Sequence, residues 1–238
     1  MCIRDSAYTA LYPQLAALKH TGWIIFDLRG NGGGDSSWGN RALQALYGEA
    51  YGEQLGNTAS YGKSLIADQA TIDLYRRYAS LKQFAASKPE FEKVIPILEA
   101  SLAKREGLAR VDYTSKEDAT ALAAKVRRRP GGPRVAAVID RGCFSSCMNF
   151  VQQVSSMSDT VLLGEPTIGY SPYGESGNYK LPSGQGAIVV PSAIYTAFQA
   201  TREPFVPAVR YDGNMADDEK LMKWVDATLT RMTANSRK

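Results

Sequence analysis

Two short turns hold the residues of this 238-residue chain whose types and spacing could do covalent chemistry. The first is Asp140-Arg141-Gly142-Cys143-Phe144-Ser145-Ser146-Cys147, which sets Ser145 and Ser146 where one kind of element gives way to another. Before it runs an apolar stretch, Val135 to Ile139; after it, Cys147, Phe150, Val151 and Val154 mark one helical face. A serine at a helix amino terminus sits beside unpaired first-turn amides and the positive end of the helix dipole, and both favour an oxyanion. The chemistry on offer is attack of a hydroxyl on a carbonyl. Serine is also a preferred helix cap, so Ser145 or Ser146 could do no more than satisfy backbone donors.

The second turn, Arg29-Gly30-Asn31-Gly32-Gly33-Gly34, exposes several backbone amides without side chains, as an anion site or oxyanion hole requires. Read alone, it is equally a tight connection between a strand and a helix. It is not a phosphate loop, because the lysine and hydroxyl residue expected after the glycines are missing.

The elements that must position these turns follow from periodicity. Trp23 to Leu28 is a nearly continuous apolar run, which predicts a central parallel strand buried on both faces. Ser36 or Ser37 is then expected to cap a helix carrying Leu43, Leu46 and Tyr47 and ending at Gly48. Val135 to Ile139, its turn and the helix after it repeat this unit, and Val161 to Leu163 gives a third strand ended by Gly164 and Pro166. Tyr179 to Leu181 and Ala187 to Val190 read as a strand pair around Pro182-Ser183-Gly184. Residues 64–104 carry helical spacing broken near Pro89, and predict a helical insertion beside the sheet over about 64–125. Asp217 and Asp218 precede a last amphipathic helix with Leu221, Trp224 and Val225.

With 44% hydrophobic and 22% charged residues the chain can bury a sizeable core as one domain with an insertion. No run approaches the roughly 18 apolar residues of a spanning helix. The net charge of +4 is spread out except at Arg127, Arg128 and Arg129, a solvated loop rather than a nucleic-acid patch because it lacks interleaved aromatics. No residue cluster implies a metal or cofactor. Residues 1–6, MCIRDS, look like a translated sequencing adapter and are set aside from the fold, leaving 7–238. On that reading the natural chain begins upstream, and the lack of a leader says nothing about location.

In order, IIFDLRGNGGG, VIDRGCFSSCMNF and LLGEPTIG resemble three signatures of the tail-specific, or carboxy-terminal processing, serine peptidases. The resemblance covers about residues 20–50 and 133–195. It implies an α/β fold, the layered β-β-α spiral shared with ClpP and the crotonases, and polypeptide substrates. It implies Ser145 as nucleophile, with an oxyanion hole made from the amide of Ser146 and one from Gly32 or Gly33. It also implies work in an extracytoplasmic compartment, periplasmic or secreted, the leader being lost with the upstream segment.

The sequence departs from the family at two places. The usual general base is a lysine three residues past the GEPT segment, and Tyr170 stands there; a phenol of ordinary pKa, about 10, is a poor base near neutrality. Met148 stands where the family has a glutamate. Glu175 could serve or orient a base, or be an exposed loop residue; Lys180 is usable only if its strand folds back over Ser145. His20, the only histidine, sits at the wrong end of the first strand and reads as structural. A tricorn-like branch of the superfamily carries its histidine far upstream. Three readings therefore stand: a peptidase, a peptide-binding relative that lost its base, and acyl-CoA chemistry on the same frame. Cys143 and Cys147 bracket Ser145 at a separation that suits either a disulfide or two small buried hydrophobes.

Overall fold

The computed structural model describes residues 3–58, 62–85, 87–111, 119–169, 172–195 and 203–235. In chain order the elements are α1 (Ile3–Ala17), β1 (Trp23–Asp27), α2 (Ser37–Tyr47), α3 (Glu49–Asn57), β2 (Lys63–Ile66), α4 (Gln69–Ser80), α5 (Lys88–Ala103) and β3 (Leu108–Val111). There follow α6 (Ala119–Arg127), β4 (Arg134–Ile139), α7 (Ser146–Ser155), β5 (Thr160–Gly164), β6 (Tyr173–Lys180), β7 (Ala187–Tyr195), β8 (Val209–Arg210) and α8 (Asp218–Asn235). α1 begins inside the six residues set aside above. The fold is α/β, and it divides into two compact units.

One unit comprises Leu11–Thr58, Thr120–Tyr170 and Glu203–Lys238. Its sheet is parallel throughout, in the order β1-β4-β5-β8. β4 shows why the order works. Val135, Ala137 and Ile139 point into a cluster with Leu43, Leu46, Met148 and Val151 from α2 and α7. Ala136 and Val138 point the other way, to Val161, Leu163 and the α8 residues Leu221, Val225 and Leu229. A side-chain period of two thus feeds both layers from one strand. Leu43, Leu163 and Leu221 are fully buried, each contributing about 1.5–3 kcal/mol.

The expectation that Trp23 to Leu28 is a central strand is corrected here: β1 lies at the edge of its sheet, and Ile25 is 41% exposed. The reason is width. A helix covers about 10 Å, or two strands at roughly 4.8 Å spacing. α8 spends that width on β4 and β5 and reaches β1 only at Trp23, whose Nε1 donates to Thr233 Oγ1 at 3.0 Å. The cap of α2 also differs. Ser36 occupies the cap position without a side-chain bond, and Asp35 Oδ1 accepts from Ser37 N at 2.9 Å instead. Gly48 ends α2 at φ 91°, and Asp217 caps α8 through Lys220 N.

The second unit comprises Met1–Ala10, Ala59–Ala119 and Ser171–Arg202. Its sheet is antiparallel, in the order β3-β2-β7-β6. The stretch predicted to be helical contains α4 and α5, and two strands flank them. β2 was hidden because its inward positions are Lys63 and Leu65, so a buried lysine breaks the apolar alternation. Leu65, Ile72, Tyr75, Val94, Leu98 and Ala109 form the core, and Asp68 caps α4 through Thr71 N at 2.7 Å. The predicted strand pair is real and longer than its apolar ends suggested, running from Tyr173 to Tyr195.

Candidate active site

All the geometry at Ser145 lies within the parallel-sheet unit. β1 and β4 are parallel neighbours, so the turns that leave their carboxyl ends emerge side by side. Asp140, the first residue after β4, ties them together. Its Oδ1 accepts from Gly30 N at 3.0 Å and Gly142 N at 2.9 Å, and its Oδ2 from Gly30 N at 3.1 Å. Phe144 N adds a bond to Asn31 O at 3.0 Å. Two glycines make this closeness possible. A Cβ on Gly142 would sit 2.7 Å from Gly30 Cα, and one on Gly33 would sit 2.7 Å from Ser145 Cβ and 2.8 Å from Phe144 O. Gly33 is therefore directly against the serine turn.

Ser145 itself has φ 55° and ψ −121°, a conformation that costs a residue with a side chain about 1–3 kcal/mol. It occupies the cap position of α7, yet its side chain makes no capping bond, and the residue is exposed. Its carbonyl does begin the helix, accepting from Met148 N at 2.9 Å and Asn149 N at 3.2 Å. Ser146 is the first helical residue, and its amide nitrogen lies 3.0 Å from where a Gly33 Cβ would be. Gly33 N donates to Asn31 Oδ1 at 3.1 Å, an Asx turn that shapes the loop. Among the described residues no acceptor meets the amides of Gly32 or Ser146.

The base of the glycine turn is anchored from below. Arg29 binds Asp27 through Nε at 2.8 Å and Nη2 at 2.6 Å, Asp218 through Nη2 at 2.9 Å, and the carbonyl of Met215. The bond from Arg29 holds the Asp27 carboxyl below the usual carboxylate range, against partial burial. The Asp27 and Asp218 carboxylates push the guanidinium above its ordinary value.

Cys143 and Cys147 form a disulfide, with an S–S distance of 1.98 Å and Cα atoms 5.4 Å apart. Both are also buried in the core, so the two sequence readings meet in one pair. Met148 is 1% exposed, and its apolar side chain packs in the same cluster. A cavity of about 660 Å³ opens at the carboxyl ends of β5 and β8, lined among others by Arg141, Glu165, Ile168, Arg210 and Tyr211. Thr167, of the GEPT segment, is buried and bonds Phe205 twice, donating N–H to its carbonyl and accepting its N–H on Oγ1.

Glu175 belongs to the antiparallel-sheet unit, in β6, at φ 54°. It is no exposed loop residue: its Oε1 accepts from Lys63 Nζ at 2.9 Å and from Tyr195 OH at 3.4 Å, and Lys63 is 5% exposed. Lys180 is exposed at the end of β6, opposite Ala187. His20 is exposed in the short 3-10 helix before β1, at the end opposite the glycine turn. Tyr170 lies outside the described residues. Sequence reasoning passed over Asp140 and Asn31. The signal for Asp140 was present, as a carboxylate directly after a buried strand and two residues before a glycine. Among the described residues no group of three or more histidine, cysteine or acidic side chains could hold a metal, and no helix is long and apolar enough to cross a membrane.

No family model matches the sequence, and no curated protein does. Solved structures do. A lipoprotein from Streptococcus agalactiae matches at 11% identity and TM-score 0.40, over 94% of this chain and 62% of that one. The photosystem II D1 C-terminal processing protease matches at 14% identity and TM-score 0.40, over 87% and 39%. Mature CPAF matches at 12% identity and TM-score 0.46, over 86% and 42%. The chain spans between 39 and 62% of the length of these three structures.

Proposed function

We propose that this chain is the catalytic part of a serine peptidase of the tail-specific type, with Ser145 as nucleophile on a frame of the ClpP and crotonase kind. The observation that supports the reading best is the state of Ser145. It is exposed, held in a costly backbone conformation at a helix amino terminus, and not used as a cap. A serine that served only as a cap would carry a capping bond and no strain. In the proposed reaction Ser145 Oγ attacks a peptide carbonyl as its proton passes to a base. The amides of Ser146 and Gly32 receive the oxyanion, since Gly33 N is already engaged by Asn31. Collapse of the tetrahedral intermediate breaks the C–N bond, the amine leaves with the proton, and water hydrolyses the ester.

The base is the open element. Tyr170 stands at the position where the resemblance puts a lysine, and Glu175 is tied to Lys63. Residues 7–238 would form the catalytic domain, with about 64–125 as an insertion that brings the strands β2 and β3. The buried disulfide favours an oxidising, extracytoplasmic setting. A peptide-binding relative without activity is the second reading, favoured by the buried Met148 where the resemblance calls for a glutamate. Hydrolysis of unfolded casein between pH 5 and 9 separates the two. Turnover that vanishes in Ser145→Ala supports the peptidase. No turnover, with casein still bound, refutes it in favour of the relative.

A further inference from the structure

The disulfide sits at an unusual place: its ring encloses Phe144, Ser145 and Ser146, so it brackets the proposed nucleophile and the proposed oxyanion donor. One sulfur is anchored in the turn, where Cys143 N donates to Asp140 O at 3.2 Å. The other belongs to the second residue of α7, where Cys147 N donates to Phe144 O at 3.1 Å. Both cysteines are essentially fully buried in the core beneath the turn, at 0% and 1% exposure. The noncovalent ties reach the turn on either side of Ser145. Asp140 and Asn31 hold residues up to Phe144, and the helix holds from Ser145 O onward. The torsions of Ser145 itself, φ 55° and ψ −121°, are spanned by a single backbone hydrogen bond, Cys147 N to Phe144 O, and its side chain makes no capping bond. A residue with a Cβ left free there relaxes to negative φ, with a preference of about 5- to 150-fold.

We propose that the Cys143–Cys147 bridge is a positioning device for Ser145. It closes a covalent ring across a segment that the Cys147 N to Phe144 O hydrogen bond alone would otherwise span, and so keeps Oγ outward and the Ser146 amide aimed at the same point. The part of this inference that concerns reactivity rests on the peptidase reading; the part that concerns the conformation of the turn does not. Because the sulfurs are buried in the folded chain, the bridge is a lasting clamp that forms during folding. Reactivity then depends on the chain having folded under oxidising conditions.

The test uses the full chain with Cys2→Ser throughout, comparing the bridged protein with Cys143→Ala/Cys147→Ala. Two readouts are taken below the melting range of both proteins, where a merely structural loss of stability would leave them unmoved. One is the rate of fluorophosphonate labelling; the other is amide exchange in peptides covering 142–147. In the double variant labelling is expected to slow by about 5- to 150-fold and exchange in the turn to rise over a similar range, while exchange in β4 and α8 stays unchanged. Rescue separates the bridge from the side chains. The bridged protein, unfolded in reductant and refolded with a thiol, should label slowly, and glutathione disulfide should restore it. In that step the two thiols give up two electrons and two protons, and the glutathione leaves as two thiols. The double variant should be indifferent to glutathione disulfide. Labelling within twofold in both proteins, with unchanged exchange, overturns the clamp and leaves the serine reading standing. If the bridged protein does not label at all, the serine reading falls. Exchange then decides the clamp alone: a rise supports it, and no change overturns it.

Discussion

Gly33→Ala is the sharpest probe of how the two turns meet. Gly33 adopts φ +97°, which a residue with a Cβ pays about 1–3 kcal/mol to enter. The added methyl would also sit 2.7 Å from Ser145 Cβ and 2.8 Å from Phe144 O, where ordinary contact begins at 3.4 Å. Neither neighbour is the far end of a flexible side chain, so the turns must part by roughly 0.7 Å, an overpacking cost of about 1–3 kcal/mol. The variant is expected to lose about 2–6 kcal/mol, a fall of roughly 0.7 M or more in the urea midpoint. Folded molecules that survive should label with a fluorophosphonate about tenfold more slowly or worse, since an ångström of misplacement can cost about a hundredfold. Two neighbours are the controls. Gly34, at φ +136° in open space, should show only the backbone part of the cost; Gly32, with open space and no positive φ, should change stability by less than about 1 kcal/mol. If Gly33→Ala and Gly32→Ala melt together and label alike, the reasoning about the contact is refuted.

Glu175→Gln removes the counter-charge of a lysine that is 5% exposed, and should cost the antiparallel-sheet unit about 3–5 kcal/mol by urea denaturation; Lys63→Met added to it should recover most of the loss. Burial pushes the Tyr47 and Tyr51 hydroxyls up to about 12 from 10. Their contribution to stability is complete below about pH 10 and is lost as pH rises through 12, so melting temperature should fall steeply over that window, and less so in Tyr51→Phe. The Asp27 carboxyl, held low first by its bond from Arg29, gives stability that is present above about pH 4 and lost as pH falls through its lower folded value; Arg29→Leu should flatten that acid limb.

Much of the parallel-sheet unit was legible because β4 buries both faces. Val135 to Ile139 is unbroken apolar sequence, and the turn chemistry on either side of it has few alternatives. β1 read the same way and is an edge strand, because Ile25 is as apolar as a buried residue and composition does not record which strands a single helix covers. β2 and β3 were missed for the opposite reason: four residues are too few to show a period, and the buried Lys63 is neutralised by Glu175 from β6, far along the chain. In the candidate site, the two turns could be found from their glycines and serines. The carboxylate of Asp140 showed a local signal for its bond to Gly142, but its bond to Gly30 joins residues 110 apart, a distance no local pattern spans. The conformation of Ser145 was likewise invisible, since φ 55° at a serine is imposed by its surroundings and opposed by its own preference.

If Ser145 is an activated nucleophile, a covalent probe captures it. The chain is treated with a fluorophosphonate probe at neutral pH, digested and mapped by mass spectrometry, beside Ser145→Ala and Ser146→Ala. One adduct is expected, on Ser145, absent from Ser145→Ala and present in Ser146→Ala. An unlabelled Ser145 in protein shown to be folded, or an adduct that persists in Ser145→Ala, would contradict it.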